Sequence, residues 1–478
     1  MKSHSAILLT CILTAPAATR ADVGSSPAVR DYLARHGTTV TYCAVRLSDG
    51  QVIASRQAAR PMVPASVQKL CTSAVALDVL GETFAFRTRL AVHGDDLFVI
   101  GDGDPTLGDP RLAEQAGGTI YDALDRWARA LRARGLTRVD GHLVLDDDIF
   151  QERRHRDWPE AQHQQWYCAP VAGLNFNDNC LDILIDLVDN RPVVAVSPAS
   201  DRLTIVNRLR PGSDQLWRVA CDDDGRTVTL TGTVKASMTE PIPVAVDEPS
   251  LLLGRVFADR LARAGLDGAP QVVRARVAAD DRTLPEALTV VAEEVTPLAT
   301  VLQRANKHSL NLAAECLLLR ASVQRTGRGT FEAAADLARG HLIERYGVAP
   351  GQIVVADGSG MSRANRLSAD AAVAILRRLA TDHPSVLDTL PQAGVDGTLR
   401  KRMADAAGRV RAKTGTLSGV VTLAGYILDG DGRPAVAMAV FCNNVRGTNA
   451  EARQMIDALV AEWLDATPAT AAGSRPSR

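Results

Sequence analysis

The stretch from Pro64 to Gly81 carries the clearest helical pattern of apolar positions in the chain. These positions recur three and four residues apart, and they are Val67, Leu70, Ala74, Leu77 and Leu80. Proline is tolerated in the first turn of a helix, and glycine commonly follows the last turn. The pattern therefore predicts a buried helix over residues 66–80.

Similar patterns predict five more helices and a series of strands. The helical runs are 250–264, 296–305, 309–319, 368–380 and 450–466. Alternating apolar and polar residues predict strands at 39–47, 51–56, 97–100, 143–145, 183–188, 193–196, 203–206, 227–230, 242–246, 410–416, 422–428 and 435–442. The strands between residues 183 and 246 indicate a small β-rich unit, and the aromatic stretch 158–180 is typical of a surface loop.

Composition narrows the class of protein. The chain has 478 residues, enough for two or three domains, and its hydrophobic fraction of 46% is typical of a soluble globular protein. The formal net charge is −1 and no basic stripe stands out, which argues against nucleic acid as a partner. No cysteine pair has zinc-ligand spacing, and the histidines do not cluster with the cysteines, so we predict neither a metal site nor a cofactor.

Residues 1–21 have the features of a secretory signal peptide, namely Lys2, a short apolar core and a run of small residues. No later stretch approaches the roughly 18 apolar residues of a membrane span, so we predict no transmembrane anchor. We therefore expect an exported, periplasmic protein. Export makes disulfides permissible, and the turn-rich segment between Cys168 and Cys180 favours that pair. The cysteines in apolar patterns, typical of buried thiols, are Cys43, Cys71, Cys316 and Cys442.

The predicted helix presents Ser66 and Lys69 on one face, because residues three apart in a helix are stacked. A hydroxyl at a helix N-terminus beside a desolvated amine can act as a nucleophile with its base. Ser-x-x-Lys also occurs by chance, so the pair alone carries little weight. Lysine usage strengthens the hypothesis: only six of the 54 basic residues are lysines, and arginine, which supplies the others, cannot give up its proton.

Two further motifs follow in suitable contexts. Ser309-Leu310-Asn311 begins a predicted helix, and Lys413-Thr414-Gly415-Thr416 lies on a predicted strand. In this order, the three motifs match S-x-x-K, S-x-N and K-T-G, the signature of the penicillin-recognising serine acyltransferases. The long separation between the first two motifs indicates domains inserted after the first helix.

The chain resembles the D-alanyl-D-alanine carboxypeptidase/endopeptidase family of class C penicillin-binding proteins, serine peptidase family S13, along nearly its whole mature length. Local runs that resemble the family are PASVQKL at 64–70, GDPTL at 103–107, APVAGLNFN at 169–177, ADGSGMSR at 356–363, GVDGTL at 394–399 and AKTGTLSGV at 412–420. The run at 357–360 resembles a family loop near the site, but we interpret it as a tight turn and assign it no catalytic step.

The resemblance implies an α/β (α+β) fold. It consists of a penicillin-binding, β-lactamase-like domain, with an antiparallel sheet flanked by helices, and of large β-rich inserted domains. Residues 22–92 and 288–468 would form the penicillin-binding domain, and residues 93–287 the insert, with a small β-rich subdomain near 183–246. Residues 469–478 would be a disordered tail.

The resemblance also implies roles in catalysis. Ser66 would attack the carbonyl between two D-alanines and form an acyl-enzyme, with Lys69 accepting its proton. Ser309 would relay a proton to the leaving amine, and Asn311 would bind the amide of the acyl donor. Lys413 would hold positive charge near Ser309 and the terminal carboxylate of the substrate.

The strand motif supplies the remaining implied contacts. Thr414 would also bind the substrate carboxylate, and the backbone N–H groups of Ser66 and Thr416 would form the oxyanion hole. Gly415 would leave room for a substrate that lies along the strand.

The implied function is a penicillin-sensitive serine DD-carboxypeptidase or DD-endopeptidase that acts on peptidoglycan stem peptides, with β-lactams as covalent inhibitors. A serine β-lactamase is disfavoured, because the nearest fragment to an E-x-x-L-N motif has Val171 in place of glutamate. A non-catalytic wall-binding or assembly protein is the other alternative, but such a protein would be free to replace Lys69 by arginine. The oligomeric state stays open.

Overall fold

The computed structural model describes residues 26–465 of the chain. The predicted signal peptide, residues 1–21, and the predicted tail, residues 469–478, lie outside these residues. The described part combines antiparallel sheets with helices, so the predicted α/β (α+β) fold class is confirmed.

Helices and strands are numbered here in chain order. The helices are α1 (Pro27–Arg35), α2 (Gln68–Leu80), α3 (Pro110–Gln115), α4 (Asp122–Ala133), α5 (Pro249–Arg263), α6 (Leu298–Asn306), α7 (Asn311–Thr326), α8 (Phe331–Tyr346), α9 (Ala369–Asp382), α10 (Val386–Thr389) and α11 (Asn449–Asp465). The strands are β1 (Thr39–Arg46), β2 (Val52–Arg56), β3 (Ala85–His93), β4 (Asp96–Ile100), β5 (His142–Asp146), β6 (Cys180–Val188), β7 (Arg191–Ser197), β8 (Thr204–Pro211), β9 (Leu216–Cys221), β10 (Thr227–Val234), β11 (Ile242–Ala245), β12 (Gln271–Arg274), β13 (Thr289–Pro297), β14 (Ile353–Val354), β15 (Arg366–Leu367), β16 (Val410–Leu417), β17 (Val420–Leu428) and β18 (Pro434–Asn443).

A five-stranded antiparallel sheet, with the order β16-β17-β18-β1-β2, forms the centre of the fold. Helices α1 and α11 pack on one face, around Tyr32 and Trp463. Helices α2 and α9 lie on the other face, around Tyr426 and Phe441. Because both faces are covered, every residue of β17 is buried. Strand β16, at the edge, pairs with β17 along its length, and on its other side the backbone of Val410 and Ala412 hydrogen-bonds to residues 391–393.

Helix α2 is surrounded by other helices. All residues from Gln68 to Leu77 are buried, because α6, α7, α8 and α9 pack around it. A tighter 3-10 turn, Ala65–Val67, precedes it, so the predicted helix over residues 66–80 is confirmed with a different first turn. A helix that is apolar on all sides belongs in a core, and it carries Lys69 into the interior with it.

Three further sheets lie in the chain between α2 and α6, and their last strand, β13, leads directly into α6. Their strand orders are β12-β5-β4-β3-β13, β11-β6-β7 and β8-β10-β9. Trp127 of α4 and Phe257 of α5 meet edge to face in their core, with ring centroids 5.4 Å apart. The predicted domain boundaries fall within β3 and just before β13, two strands that pair with each other. The division of the chain into domains stays a prediction.

The hydrophobic patterns predict most elements correctly. Each of the predicted helices and strands corresponds to an element of the structure, with ends that shift by a few residues. The patterns do not predict the helices α1, α3, α4, α8 and α10 or the strands β3, β9, β12, β13, β14 and β15. In α8, Gly340 lies in the helix interior and weakens the helical signal, whereas tertiary packing stabilises the helix.

One expectation is wrong, and another is correct for only part of its segment. Cys168 and Cys180 are both free thiols, since Cys168 Sγ contacts Sδ of Met361 at 3.4 Å and Cys180 Sγ contacts the carbonyl of Asp178 at 3.4 Å. The stretch 158–180 is a surface loop only in part: residues 159–166 are exposed or partly exposed, whereas Trp158 and Cys168 pack into the same apolar core as α7 and residues 168–177 are buried. The predicted buried thiols are confirmed as buried, and they are Cys43, Cys71, Cys316 and Cys442.

Among the helices of residues 26–465, none combines the length and the apolar character that crossing a bilayer requires.

Gly425 of β17 provides a test of how tightly the central sheet packs. A Cβ at this position would lie 2.2 Å from the carbonyl oxygen of Arg411 and 2.4 Å from Cα of Ala412, both on β16. We expect Gly425→Ala to lower the free energy of unfolding by about 1–3 kcal/mol, because the backbone of β16 must shift. The measurement is thermal unfolding of the purified protein.

Gly340→Ala is the matched control for this substitution. A Cβ on Gly340 would meet no atom within 4 Å, and the residue lies inside α8. Alanine should therefore stabilise the protein by about 0.5–1 kcal/mol. A melting temperature for Gly425→Ala at or above that of the wild type would contradict the packing described here.

Candidate active site

Ser66 lies in the 3-10 turn that leads into α2, and Lys69 lies in the first turn of α2. The Nζ of Lys69 donates to Oγ of Ser66 at 3.1 Å. It also donates to Oδ1 of Asn311 at 2.7 Å and to the carbonyl oxygen of Ser359 at 2.9 Å. Three acceptors therefore hold the amine against the hydroxyl.

Ser309 and Asn311 enter the site at the start of α7. Ser309 has a φ of +61°, a left-handed conformation that is uncommon and strained for residues other than glycine. The helix therefore begins at Asn311 rather than at Ser309 as the pattern predicts. Nδ2 of Asn311 donates to the carbonyl of Tyr167 at 2.8 Å, which turns the amide oxygen toward Lys69.

Lys413 reaches the site from β16, at the edge of the central sheet. Its Nζ donates to Oγ of Ser309 and to the carbonyl oxygen of Thr414, both at 2.9 Å. The predicted residues thus converge in one cleft, although they come from distant parts of the chain. The residues brought together are Ser66, Lys69, Ser309, Asn311 and Lys413.

The other residues of the strand motif line the same edge. Oγ1 of Thr414 donates to Oγ1 of Thr398 at 2.7 Å, and the exposed Thr416 accepts from Arg453 at 3.3 Å. A Cβ on Gly415 would lie 2.2 Å from Oγ1 of Thr422 and 2.9 Å from the backbone nitrogen of Ser66. The glycine thus allows β16 to approach the Ser66 turn, which is a different physical reason from the room for substrate that the sequence suggests.

Both lysines are fully buried, and within residues 26–465 neither makes an ion pair with a carboxylate. Burial lowers the pKa of Lys69, while the nearby carboxylates of Glu315 and Asp357 oppose that change. Burial also lowers the pKa of Lys413 well below its usual range, and the positive charge of Lys69 adds to this effect. A positive charge on one of these amines disfavours protonation of the other, so the site favours a state in which one of the two lysines is uncharged.

Sequence reasoning missed two contributors to the site. The loop 357–360 supplies the Ser359 carbonyl that accepts from Lys69, so it contacts the site directly in addition to forming a turn. Glu315 of α7 is fully buried and accepts hydrogen bonds from the backbone of this loop. The sequence held a signal for each of them. The loop lies in the run ADGSGMSR, which resembles the family, and Glu315 is an acidic residue within the apolar pattern of a predicted helix.

The described part of the chain contains no cluster of three or more His, Cys, Asp or Glu side chains arranged to hold a metal ion. The side chains that meet in the cleft supply two hydroxyls, two amines and an amide. A covered antiparallel sheet with these three motifs in one cleft defines a penicillin-recognising serine enzyme.

Comparison with known proteins places the chain in a family. The model of the D-Ala-D-Ala carboxypeptidase 3 (S13) family matches residues 28–467. The chain is also 30% identical over 425 residues to a D-alanyl-D-alanine carboxypeptidase of Actinomadura sp. (strain R39), an alignment that covers 82% of this chain and 76% of the relative. The chain belongs to the S13 family of D-Ala-D-Ala carboxypeptidases.

Solved structures of penicillin-binding protein 4 from Haemophilus influenzae have the same fold. One aligns with a TM-score of 0.75 at 24% identity and covers 91% of this chain and 99% of that chain. A second, complexed with a β-lactam, aligns with a TM-score of 0.71 at 23% identity and the same coverage of 91% and 99%.

The buried environment of Lys69 predicts the pH dependence of acylation by a penicillin. With Lys69 as the base that the sequence predicts, the rate depends on the uncharged amine and should fall about tenfold for each pH unit below the pKa of Lys69. Because burial lowers this pKa, the decline should begin far below the ordinary lysine value of about 10.4. The measurement is the second-order rate of labelling by a fluorescent penicillin between about pH 5 and about pH 10. A decline that begins close to the ordinary lysine value would contradict the assignment.

Proposed function

We propose that the protein is a penicillin-sensitive serine DD-carboxypeptidase/DD-endopeptidase that cleaves D-Ala-D-Ala or D-Ala-diamino acid bonds of peptidoglycan through an acyl-enzyme on Ser66. The observation that carries the proposal is the contact of 3.1 Å between Nζ of Lys69 and Oγ of Ser66, inside a helix bundle that removes the amine from water. Family membership supplies the substrate class.

In the first step, Oγ of Ser66 attacks the carbonyl carbon of the penultimate D-alanine, and Lys69 accepts the hydroxyl proton. A lysine can do this only while it is uncharged, which burial favours. The contacts from Asn311 and Ser359 orient the amine toward the hydroxyl. A general base in this position contributes about 10²–10⁴-fold to the rate.

The negative charge that develops on the carbonyl oxygen needs N–H donors. We assign this role to the backbone N–H groups of Ser66 and Thr416. The close approach of β16 to the Ser66 turn supports the assignment, because it brings the nitrogen of Ser66 beside Gly415, the neighbour of Thr416. Preorganised donors of this kind are worth about 10²–10³-fold in rate for each donor.

The leaving amine requires a proton, which we assign to Ser309. Its hydroxyl lies 2.9 Å from Nζ of Lys413, so the two side chains form a path for a proton toward the leaving group. Lys413, with Thr414, also places positive charge and a hydroxyl where the terminal carboxylate of the substrate would bind. Asn311 would hold the amide of the acyl donor. Water then hydrolyses the ester on Ser66 and releases the shortened peptide.

A β-lactam presents a strained amide to the same nucleophile, so it should acylate Ser66 and inhibit the enzyme. The fold shared with a penicillin-binding protein that has been crystallised with a β-lactam supports this part of the proposal. Rapid hydrolysis of the drug would require an additional base, and the fragment with Val171 has no carboxylate at the position where the deacylation motif has glutamate.

We also propose that residues 1–21 direct export to the periplasm, where the peptidoglycan substrate lies. Residues 22–92 and 288–468 would carry the chemistry, and residues 93–287 would form the inserted domains. The pairing of β3 with β13 at the base of this region supports an insert that leaves and re-enters the catalytic part at neighbouring points.

Ser66→Ala tests the nucleophile. Wild-type protein should form a stable covalent adduct with a fluorescent penicillin, detected on a denaturing gel, and Ser66→Ala should lose it. Ser213→Ala, an exposed serine in the β-rich region, is the control and should label normally. Rapid release of hydrolysed drug would indicate a β-lactamase, and absence of labelling in the wild type would indicate a non-catalytic binding protein.

Lys69→Arg separates the charge of Lys69 from its function as a base. Arginine keeps the positive charge but cannot lose its proton, so acylation should fall by about 100-fold or more while the thermal unfolding transition remains. Lys235→Arg, at an exposed position, should label like the wild type. A labelling rate for Lys69→Arg that equals that of the wild type would refute the assigned base.

A further inference from the structure

Glu315 is a buried carboxylate that the proposed mechanism does not use. It lies on α7, one turn after Asn311, and its side chain is fully inaccessible to water. Among residues 26–465, no lysine, arginine or histidine forms an ion pair with it. A buried carboxylate without a cation in contact is costly unless hydrogen bonds stabilise it, so a specific reason for its presence is expected.

The hydrogen bonds of Glu315 lead directly to Lys69. Its Oε2 accepts from the backbone N–H of Gly358 at 2.8 Å, and its Oε1 accepts from the N–H of Ser359 at 2.7 Å. The carbonyl of the same Ser359 accepts from Nζ of Lys69 at 2.9 Å. One residue of the loop therefore connects the carboxylate to the amine, and its position depends on both.

A second contact holds the same loop from α2. Oγ1 of Thr72 donates to the carbonyl oxygen of Gly358 at 2.7 Å. Thr72 lies on α2, three residues after Lys69. The loop is therefore hydrogen-bonded to α2 through Thr72 and to α7 through Glu315. Glu315 supplies both a hydrogen-bonding anchor and a negative charge, whereas Thr72 supplies only an anchor.

Three charged side chains interact electrostatically with the amine of Lys69. Glu315 comes from α7, Asp357 from the loop and Lys413 from β16. Burial, followed by the charge of Asp357, raises the pKa of Glu315 above its ordinary value, and the two backbone N–H donors oppose that change. Both carboxylate oxygens accept from an N–H group, which is the geometry of an ionised carboxylate.

We propose that Glu315 is a positioning residue for the acylation step: through the Gly358–Ser359 backbone it fixes the acceptor that aims the Lys69 amine at Ser66, and its charge sets the pH at which that amine becomes a base. The inference rests on the proposed function, because it assigns to Lys69 the role of base. Glu315 lies outside the three sequence motifs, so the reaction would depend on a residue that the motifs do not include.

The test measures the second-order rate of labelling by a fluorescent penicillin, as a function of pH, in wild-type protein and in Glu315→Gln. The amide removes the charge and one of the two acceptors. We expect the rate at the optimum to fall by about tenfold or more, because the Ser359 carbonyl moves. The acid limb is the part of the pH profile in which the labelling rate falls as Lys69 gains its proton. We also expect this acid limb to move to lower pH by about one unit, since a nearby negative charge no longer stabilises the lysine cation.

Thr72→Val separates position from charge. It removes the hydrogen bond to Gly358 and leaves Glu315 in place, so the rate should fall while the acid limb stays where it is in the wild type. Glu315→Asp keeps the charge on a shorter side chain, and its acid limb should also stay in place. Asp259→Asn removes a buried carboxylate of α5 that binds Ser200 and Arg202 away from the cleft, and should change neither quantity.

The outcomes distinguish the inference from the proposed function. If wild-type protein is not labelled, the proposed function itself fails. If the wild type is labelled and Glu315→Gln has the same rate and the same acid limb, the inference alone is overturned. A slower Glu315→Gln with an unmoved acid limb would assign Glu315 a purely structural role and would also overturn it. If Glu315→Gln does not fold, Glu315→Ala, which also removes the charge, takes its place: a slower rate together with an acid limb at lower pH upholds the inference, and an unchanged rate or an unmoved acid limb overturns it.

Discussion

The site depends on one physical constraint, the removal of the Lys69 amine from water. Helix α2 is covered on all sides by other helices, so the lysine in its first turn has no access to solvent. In water this amine would keep its proton at neutral pH, and it could not accept one from a serine. Burial favours the uncharged form, and three hydrogen-bond acceptors compensate for the lost hydration and set its direction. The surrounding helix bundle is therefore part of the chemistry.

The second feature is the edge of the central sheet. Strand β16 brings Lys413 against Ser309 and passes so close to the Ser66 turn that only glycine fits at position 415. The cleft thus has one wall made from a strand and another made from the start of α7, where Ser309 is held in a strained left-handed conformation. A rigid strand and a helix terminus can hold reacting groups more precisely than mobile loops can.

Segments outside the motifs support this geometry. The stretch 158–180 contributes two contacts: the carbonyl of Tyr167 accepts from the amide of Asn311, and the indole N–H of the buried Trp158 donates to Asp357 at 2.9 Å. Glu315 holds the loop whose carbonyl binds Lys69. The region between α2 and α6 therefore contributes contacts to the site itself, in addition to forming sheets of its own. Tyr167 of this region, for example, binds Asn311, which in turn accepts a hydrogen bond from the amine of Lys69.

The sequence by itself determined the local elements and the chemistry. Apolar periodicity predicted α2, the strands of the central sheet and the start of α7 to within a few residues, because these depend on nearby side chains. Scarce lysines and the three motifs indicated Ser66, Lys69, Ser309, Asn311 and Lys413. Only the tertiary structure decided that the Ser359 carbonyl accepts from Lys69 and that Glu315 binds the same loop. It also decided that Cys168 and Cys180 stay unpaired and that residues 168–177 are buried. These features arise from contacts between segments far apart in the chain, and the pattern of residues along the sequence does not specify which segments come into contact.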